Sequence, residues 1–251
     1  YKINKNKIYY PWSEDLIAKR LINLIYNYEF INSSSNKKDS KLLNKIILVH
    51  IHRVIYEFNN KRFSEINSYE IKAIVLSYLL MGKLTKRIID RIEKILSYQI
   101  DTLGVHKSYN ILEHSKCLNN LSETKDIFLF FNDAVPSNID LNITKMTSML
   151  IQYFHLDGSI PLFNGSNNNY TKLISNSLNN NEFLKSRKFS DTINGLAYYA
   201  DKNKKIIFDV VQPNKEIISK NLSAGTLSFE LSSDGEKIIT NCGASESVGS
   251  N

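Results

Sequence analysis

The spacing of apolar residues changes once along this chain, near Phe189, and that change limits the folds open to it. Before that point the pattern returns every three or four residues. Ile47, Ile51, Val54 and Phe58 form one stripe. Ile71, Ile74, Val75, Tyr78 and Leu79 form another, then Ile88, Ile92, Ile95 and Gln99, then Ile139, Ile143, Met146, Leu150 and Tyr153. This is the period of an α-helix with one buried face. After Phe189 the period falls to two. "GLAYYADKNKKIIFDVV" is two β-rich runs around a polar turn. In "GTLSFELSSDGEKIITNC", Leu227, Phe229 and Leu231 alternate with Ser228, Glu230 and Ser232, and Asp-Gly marks a hairpin turn.

The helical part begins near Pro11, with Ser13 as an N-cap candidate. Ser33–Ser40 reads as a polar loop and Gly82 as a helix stop. After a break at "DTLG" the pattern predicts two helices, Tyr109–Leu121 and Lys125–Asp133, then a third capped by Ser137 or Asn138. Helices with one apolar stripe must lie against neighbours, so antiparallel pairs follow. Periodicity does not choose among a bundle, a solenoid and a toroid. The predicted division is a helical domain over residues 1–189 and a β-rich domain over residues 190–251. Two hairpins do not make a stable sheet alone: either these strands pack on the helices as a small sheet, or, the favoured reading, they start a larger β-domain. The chain opens on Tyr1 rather than Met, and a piece of a longer protein is expected.

Composition narrows the function classes. The formal net charge is +7, with only six Arg among 32 basic residues. The abundance of Lys beside Asn and Ile first fits a compositional bias of the genome; the other reading is a basic surface that attracts acidic partners, either uronate polysaccharide or nucleic acid. No nucleic-acid motif or Arg cluster is present, so nucleic acid ranks last. Cys117 and Cys242 give neither a disulfide framework nor a metal spacing. His50 and His52 stand two apart and point to different helix faces, unlike a helical metal pair at spacing four. No cofactor or metal is expected. No eighteen-residue apolar run is present, so no transmembrane helix is expected. Trp12 and Tyr153 are candidates to stack on sugar rings, with a core role as the plainer reading.

Three segments carry a family resemblance. "TLSFELSSDGEKIITNCGA" (Thr226–Ala244) resembles the opening of the C-terminal β-domain of the heparinase II/III family. "LDGSIPLFNG" (Leu156–Gly165) and "QIDTLGVHKSYN" (Gln99–Asn110) resemble two loops of its bacterial heparinase II/III-like branch, in the same order. The resemblance implies an incomplete (α/α) toroid of antiparallel helix pairs, followed by the first strands of an antiparallel β-sandwich. It implies a polysaccharide lyase that cleaves uronate-containing acidic polysaccharide by β-elimination. The compartment is not read from this sequence: periplasm or cell envelope and cytoplasm all stay open, as does the oligomeric state.

The chemistry needs a base for the proton beside the sugar carboxylate, an acid for the departing oxygen, and polar groups to stabilise the developing charge. By family position the resemblance implies Asn67 and His106 as catalytic candidates, with Tyr109 as a third. Asn67 also fits a helix cap. The family Tyr position falls on Glu113, with Tyr109 nearby as a substitute. Lys107, His114 and Asn164 are candidates for substrate binding. The family His before the "LSFEL" strand is Ser223 here, and a hydroxyl cannot titrate near neutral pH. The alternative is therefore a catalytically impaired member that binds acidic glycans or serves envelope polysaccharide metabolism.

Overall fold

The computed structural model describes residues 14–33, 35–166, 190–193, 195–211 and 227–243. Contacts divide the chain into two compact units, Tyr1–Ile95 with Asn120–Pro136, and Leu96–Asn119 with Ser137–Asn251.

The first unit holds helices α1 (Glu14–Tyr26), α2 (Tyr28–Asn32), α3 (Lys37–Asn60) and α4 (Ser68–Leu80). It also holds most of α5 (Lys86–Gln99) and the second half of α6 (Ile111–Phe130). Asn36 starts α3 by accepting the backbone N–H groups of Lys38 and Asp39 on its side chain. Ile17, Leu21, Ile51, Val54, Phe58, Ile71 and Ile74 are buried together where α1, α3 and α4 pack.

Two expectations are corrected here. α4 has no single apolar stripe: Glu70 to Ser77 are all buried, charged residues included. The charges are tolerated because each has a partner. Lys72 reaches Glu123 at 2.6 Å and lies over the Tyr69 ring, and Lys61 reaches Glu70 at 2.6 Å. The predicted break between Leu121 and Lys125 is absent, and α6 runs unbroken from Ile111 to Phe130. The polar stretch "NNLSETK" contains neither Gly nor Pro, and Thr124 turns its hydroxyl back to the Asn120 carbonyl at 2.6 Å.

The second unit holds α7 (Ser137–Tyr153) and a five-stranded antiparallel sheet. Its strands are β1 (Ser190–Ile193), β2 (Leu196–Ala200), β3 (Lys204–Asp209), β4 (Phe229–Ser233) and β5 (Glu236–Ile239), in spatial order 1-2-3-4-5. Both predicted hairpins form. Asp234 and Gly235 carry φ values of 51° and 83°, the left-handed pair that a tight two-residue hairpin turn requires. The chain is thus helical first and antiparallel β second, the order the family resemblance implies.

The two faces of the sheet are used in an unexpected way. On β4 the polar residues Glu230 and Ser232 are the buried ones, while Phe229 is 37% exposed. On the other face, Ala197, Phe208 and Phe229 stand in register across three strands, as do Tyr199, Ile206 and Leu231. That face is apolar and none of these residues is buried.

Candidate functional site

The loop after α5 is closed on itself. The Lys107 N–H donates to the Gln99 carbonyl at 2.8 Å, and Ile100 and His106 form a β-bridge. Inside it, Asp101 Oδ1 accepts the N–H groups of Leu103 and Val105. Gly104, at φ +91°, lies so close to α7 that an added Cβ would stand 2.7 Å from the Lys145 backbone carbon. Lys145 returns a bond from its ammonium to the Thr102 carbonyl. A short polar loop is thereby held rigidly, with His106 at its end.

The protonation of His106 follows from its neighbours. The backbone N–H of Ser108 points at Nδ1 at 3.3 Å, and Ser108 Oγ lies 2.8 Å from the same nitrogen. The Ser108 N–H can only donate, so Nδ1 accepts it, and the hydroxyl, which also accepts the Asn110 N–H, is free to donate to the same nitrogen. Nδ1 is therefore an acceptor, and the ring proton sits on Nε2. Burial pushes the imidazole down to about 4, so the ring is neutral at pH 7. No hydrogen bond from Nε2 to a described residue is present, and His106 as a whole residue is partly exposed.

Tyr109 follows at φ 52°, with its ring against Gly195: a Cβ on that glycine would fall 2.5 Å from the ring. Desolvation and the Asp101 charge raise its phenol above the ordinary value, so it is protonated at neutral pH. Asn110 Oδ1 accepts the Leu112 and Glu113 N–H groups and so caps α6. Lys107 donates weakly to the Ser97 carbonyl and lies over the Tyr98 ring.

Two of the residues predicted to bind substrate have other tasks. His114 is buried. Its Nε2–H donates to the Met146 carbonyl at 2.9 Å and its Nδ1 accepts the His106 N–H at 3.4 Å. Burial pushes that ring also down to about 4. With both nitrogens on the backbone, it holds the loop rather than a ligand. Asn164 is likewise buried, in an Asn-Gly turn with φ 51° and 85° closed by Ser166 N–H on the Phe163 carbonyl. Its carbonyl accepts from Asn110 Nδ2 at 2.8 Å and its amide donates to the Tyr109 carbonyl. Tyr153 is buried with its ring edge-on to His114, a core residue that cannot stack on a sugar.

Asn67 lies in the first unit, at the N-cap of α4. Its side-chain oxygen accepts the Glu70 N–H at 2.9 Å, and Glu70 accepts the Asn67 N–H in return. Asn67→Ala is expected to cost about 1 kcal/mol of stability, read from a urea unfolding midpoint. The first unit also carries an open groove of about 860 Å³, apolar but bordered by Glu29, Glu123 and Asp126. Three carboxylates have the wrong sign for an acidic polysaccharide. Ser223 and Trp12 lie outside the described residues.

One cluster is not legible from family position. Glu230, fully buried on β4, accepts the Leu162 N–H at 2.8 Å, His155 Nε2–H at 3.1 Å, the Lys237 ammonium at 2.9 Å and the Asn241 N–H at 3.2 Å. Desolvation works to raise this carboxyl, but the His155, Leu162 and Lys237 bonds outweigh it and hold it down at about 2. Nearby, buried Lys205 donates to the carbonyls of Gln152 and Phe154, at the C-terminus of α7. The knot fixes residues 155–162, and the Asn164 turn that follows grips Tyr109 and Asn110. The one sequence signal was a Glu sharing a strand face with two Ser residues.

Residues 185–251 match the family model for the Heparinase II/III-like C-terminal domain. The fold is similar to the crystal structure of heparinase III, with a TM-score of 0.70 at 14% identity over 96% of this chain and 45% of that one. It is also similar to the heparan sulfate lyase HepC from Pedobacter heparinus, with a TM-score of 0.62 at 12% identity over 94% of this chain and 42% of that one. No curated protein matches the sequence. The chain spans less than half the length of the structures it matches.

Proposed function

We propose, from the premise that residues 185–251 are heparinase II/III-like, that this protein is polysaccharide lyase-like and acts on uronate-containing acidic polysaccharide. In this reading residues 1–189 are part of a toroid and residues 190–251 are the first strands of a sandwich. The apolar outer sheet face around Phe208 and Phe229 supports the second part, because a further sheet would bury it.

The observation that carries the proposal is the rigid loop presenting a neutral His106 beside Tyr109. In β-elimination a base, which in this site has to be a group other than the His106 Nε2–H and the protonated Tyr109, removes the proton from the carbon next to the carboxylate. The electron pair forms a carbon–carbon double bond, and the glycosidic carbon–oxygen bond breaks toward oxygen. Charge develops on the carboxylate as the proton leaves. A fixed Nε2–H donor is suited to that charge, because it needs no reorientation as the charge grows. Tyr109, held as the neutral phenol, is suited to protonate the departing oxygen. Lys107 supplies positive charge beside them for an anionic chain.

The same geometry favours one second reading. His106 Nδ1 is occupied and Nε2 carries a proton, so the ring is not set up as the base. Tyr109 is also protonated. Ser223 stands where the family His is expected. These features fit a protein that binds acidic glycans and eliminates slowly. The two readings separate in an assay of heparan, chondroitin and alginate chains that follows the ultraviolet absorbance of the unsaturated uronate. A lyase gives a signal that falls at least about 100-fold in His106→Ala, the scale of losing one preorganised donor. Binding without absorbance selects the second reading, and neither binding nor absorbance rejects both.

A further inference from the structure

We infer that Ser108 is a positioning residue that fixes the tautomer of His106, so that the loop offers a proton donor and never a base at its open nitrogen. The inference rests on the reading above only for what that donor is used for.

The geometry is over-determined. His106 Nδ1 faces two donors from one residue, the Ser108 N–H at 3.3 Å and the Ser108 hydroxyl at 2.8 Å. The opposite tautomer would set an Nδ1 proton against the Ser108 backbone N–H, which can only donate; the hydroxyl, which also accepts the Asn110 N–H at 3.2 Å, adds a second donor to Nδ1 when that nitrogen is bare. Asn110 is itself pinned through its amide nitrogen to the Asn164 carbonyl at 2.8 Å. Ser108 is 2% exposed, so water does not compete for these bonds. The His106 backbone is held from the other side by His114 Nδ1 and by the bridge to Ile100. Among the described residues, the titratable group whose charge is coupled to His106 is His114, and its two ring nitrogens are on the His106 N–H and the Met146 carbonyl.

A group held this way does one thing in a binding site. It points a neutral N–H at an anion and refuses a proton from the substrate carbon. Restoring a base to the site would then require a different residue, and His106 would remain the carboxylate donor.

The test is a long-range proton–nitrogen correlation spectrum of the histidine rings at pH 7. His106 is assigned by the signals lost in His106→Gln. The wild-type ring is expected as the Nε2–H form. In Ser108→Ala one donor to Nδ1 is lost. The His106 titration midpoint should then rise by about one pH unit, the equivalent of one hydrogen bond to the neutral form, with a mixture of tautomers. Ser108→Thr keeps the hydroxyl and should restore the wild-type spectrum. An Nδ1–H ring in the wild type overturns the inference whatever the variants do. An unchanged tautomer and midpoint in a folded Ser108→Ala protein overturns it as well. If the spectra behave as expected but no uronate polymer is bound or cleaved, the tautomer assignment stands and the functional reading fails.

Discussion

Glu230→Leu is expected to lower the thermal midpoint by about 10 °C. Removing one member of a buried charged network leaves its partners desolvated and unpaired, at a cost of roughly 3–5 kcal/mol, and each kcal/mol moves the midpoint of a chain this size by about 2–4 °C. The partners are His155, Lys237 and two backbone N–H groups; His155 and Leu162 are buried, while Lys237 is partly exposed and also holds the Ile160 carbonyl, which puts the cost at the lower end. The wild-type contribution also depends on pH. The folded carboxyl is held at about 2 against an ordinary 4.5. Its share of stability, about 3 kcal/mol, is therefore complete above pH 4.5 and is lost as pH falls toward 2. Glu230→Leu should abolish that part of the acid-side slope. Melting curves between pH 2 and pH 7 check both statements. An equal midpoint in the two proteins at pH 7 would show that the knot contributes nothing.

The second large effect is expected at Gly104→Ala. The new Cβ would stand 2.6 Å from Lys145 Cβ and 2.7 Å from its backbone carbon, in a left-handed conformation of φ +91°. Backbone cannot yield as a flexible side chain can. Overpacking and backbone strain each cost about 1–3 kcal/mol, so a loss of about 3 kcal/mol is expected. The displaced segment carries Val105 and His106. Any activity that depends on His106 should fall with stability, beyond what unfolding alone removes. A variant with native stability and native loop signals would mean that the loop does not rest on α7 as described.

Much of the fold was legible because single residues announce it. Asp234-Gly235 forces a tight hairpin, and the stripe from Ile139 to Tyr153 gives α7. Three things were not legible, each for a physical reason. α4 buries Lys72, which pattern reading assigns to solvent, because Glu123 lies 51 residues away in sequence. The polar face of β4 is the buried one, because His155 and Lys237 satisfy Glu230 from separate segments. At the site, family position led to His106, with Tyr109 taken as a neighbouring substitute for the family Tyr. It could not tell that His114, just past the first loop motif, and Asn164, in the second, are spent on backbone groups. Hydrogen-bond partners far apart in sequence decide these roles, and no local period records them.

The most direct test of the central claim is to add a heparan-derived uronate oligosaccharide to the protein and follow the His106 ring signals. The account predicts that Nε2 and its proton shift while Nδ1 stays unprotonated, and that binding weakens in His106→Ala. Binding that leaves the His106 ring untouched, or binding of equal strength in His106→Ala, would contradict it.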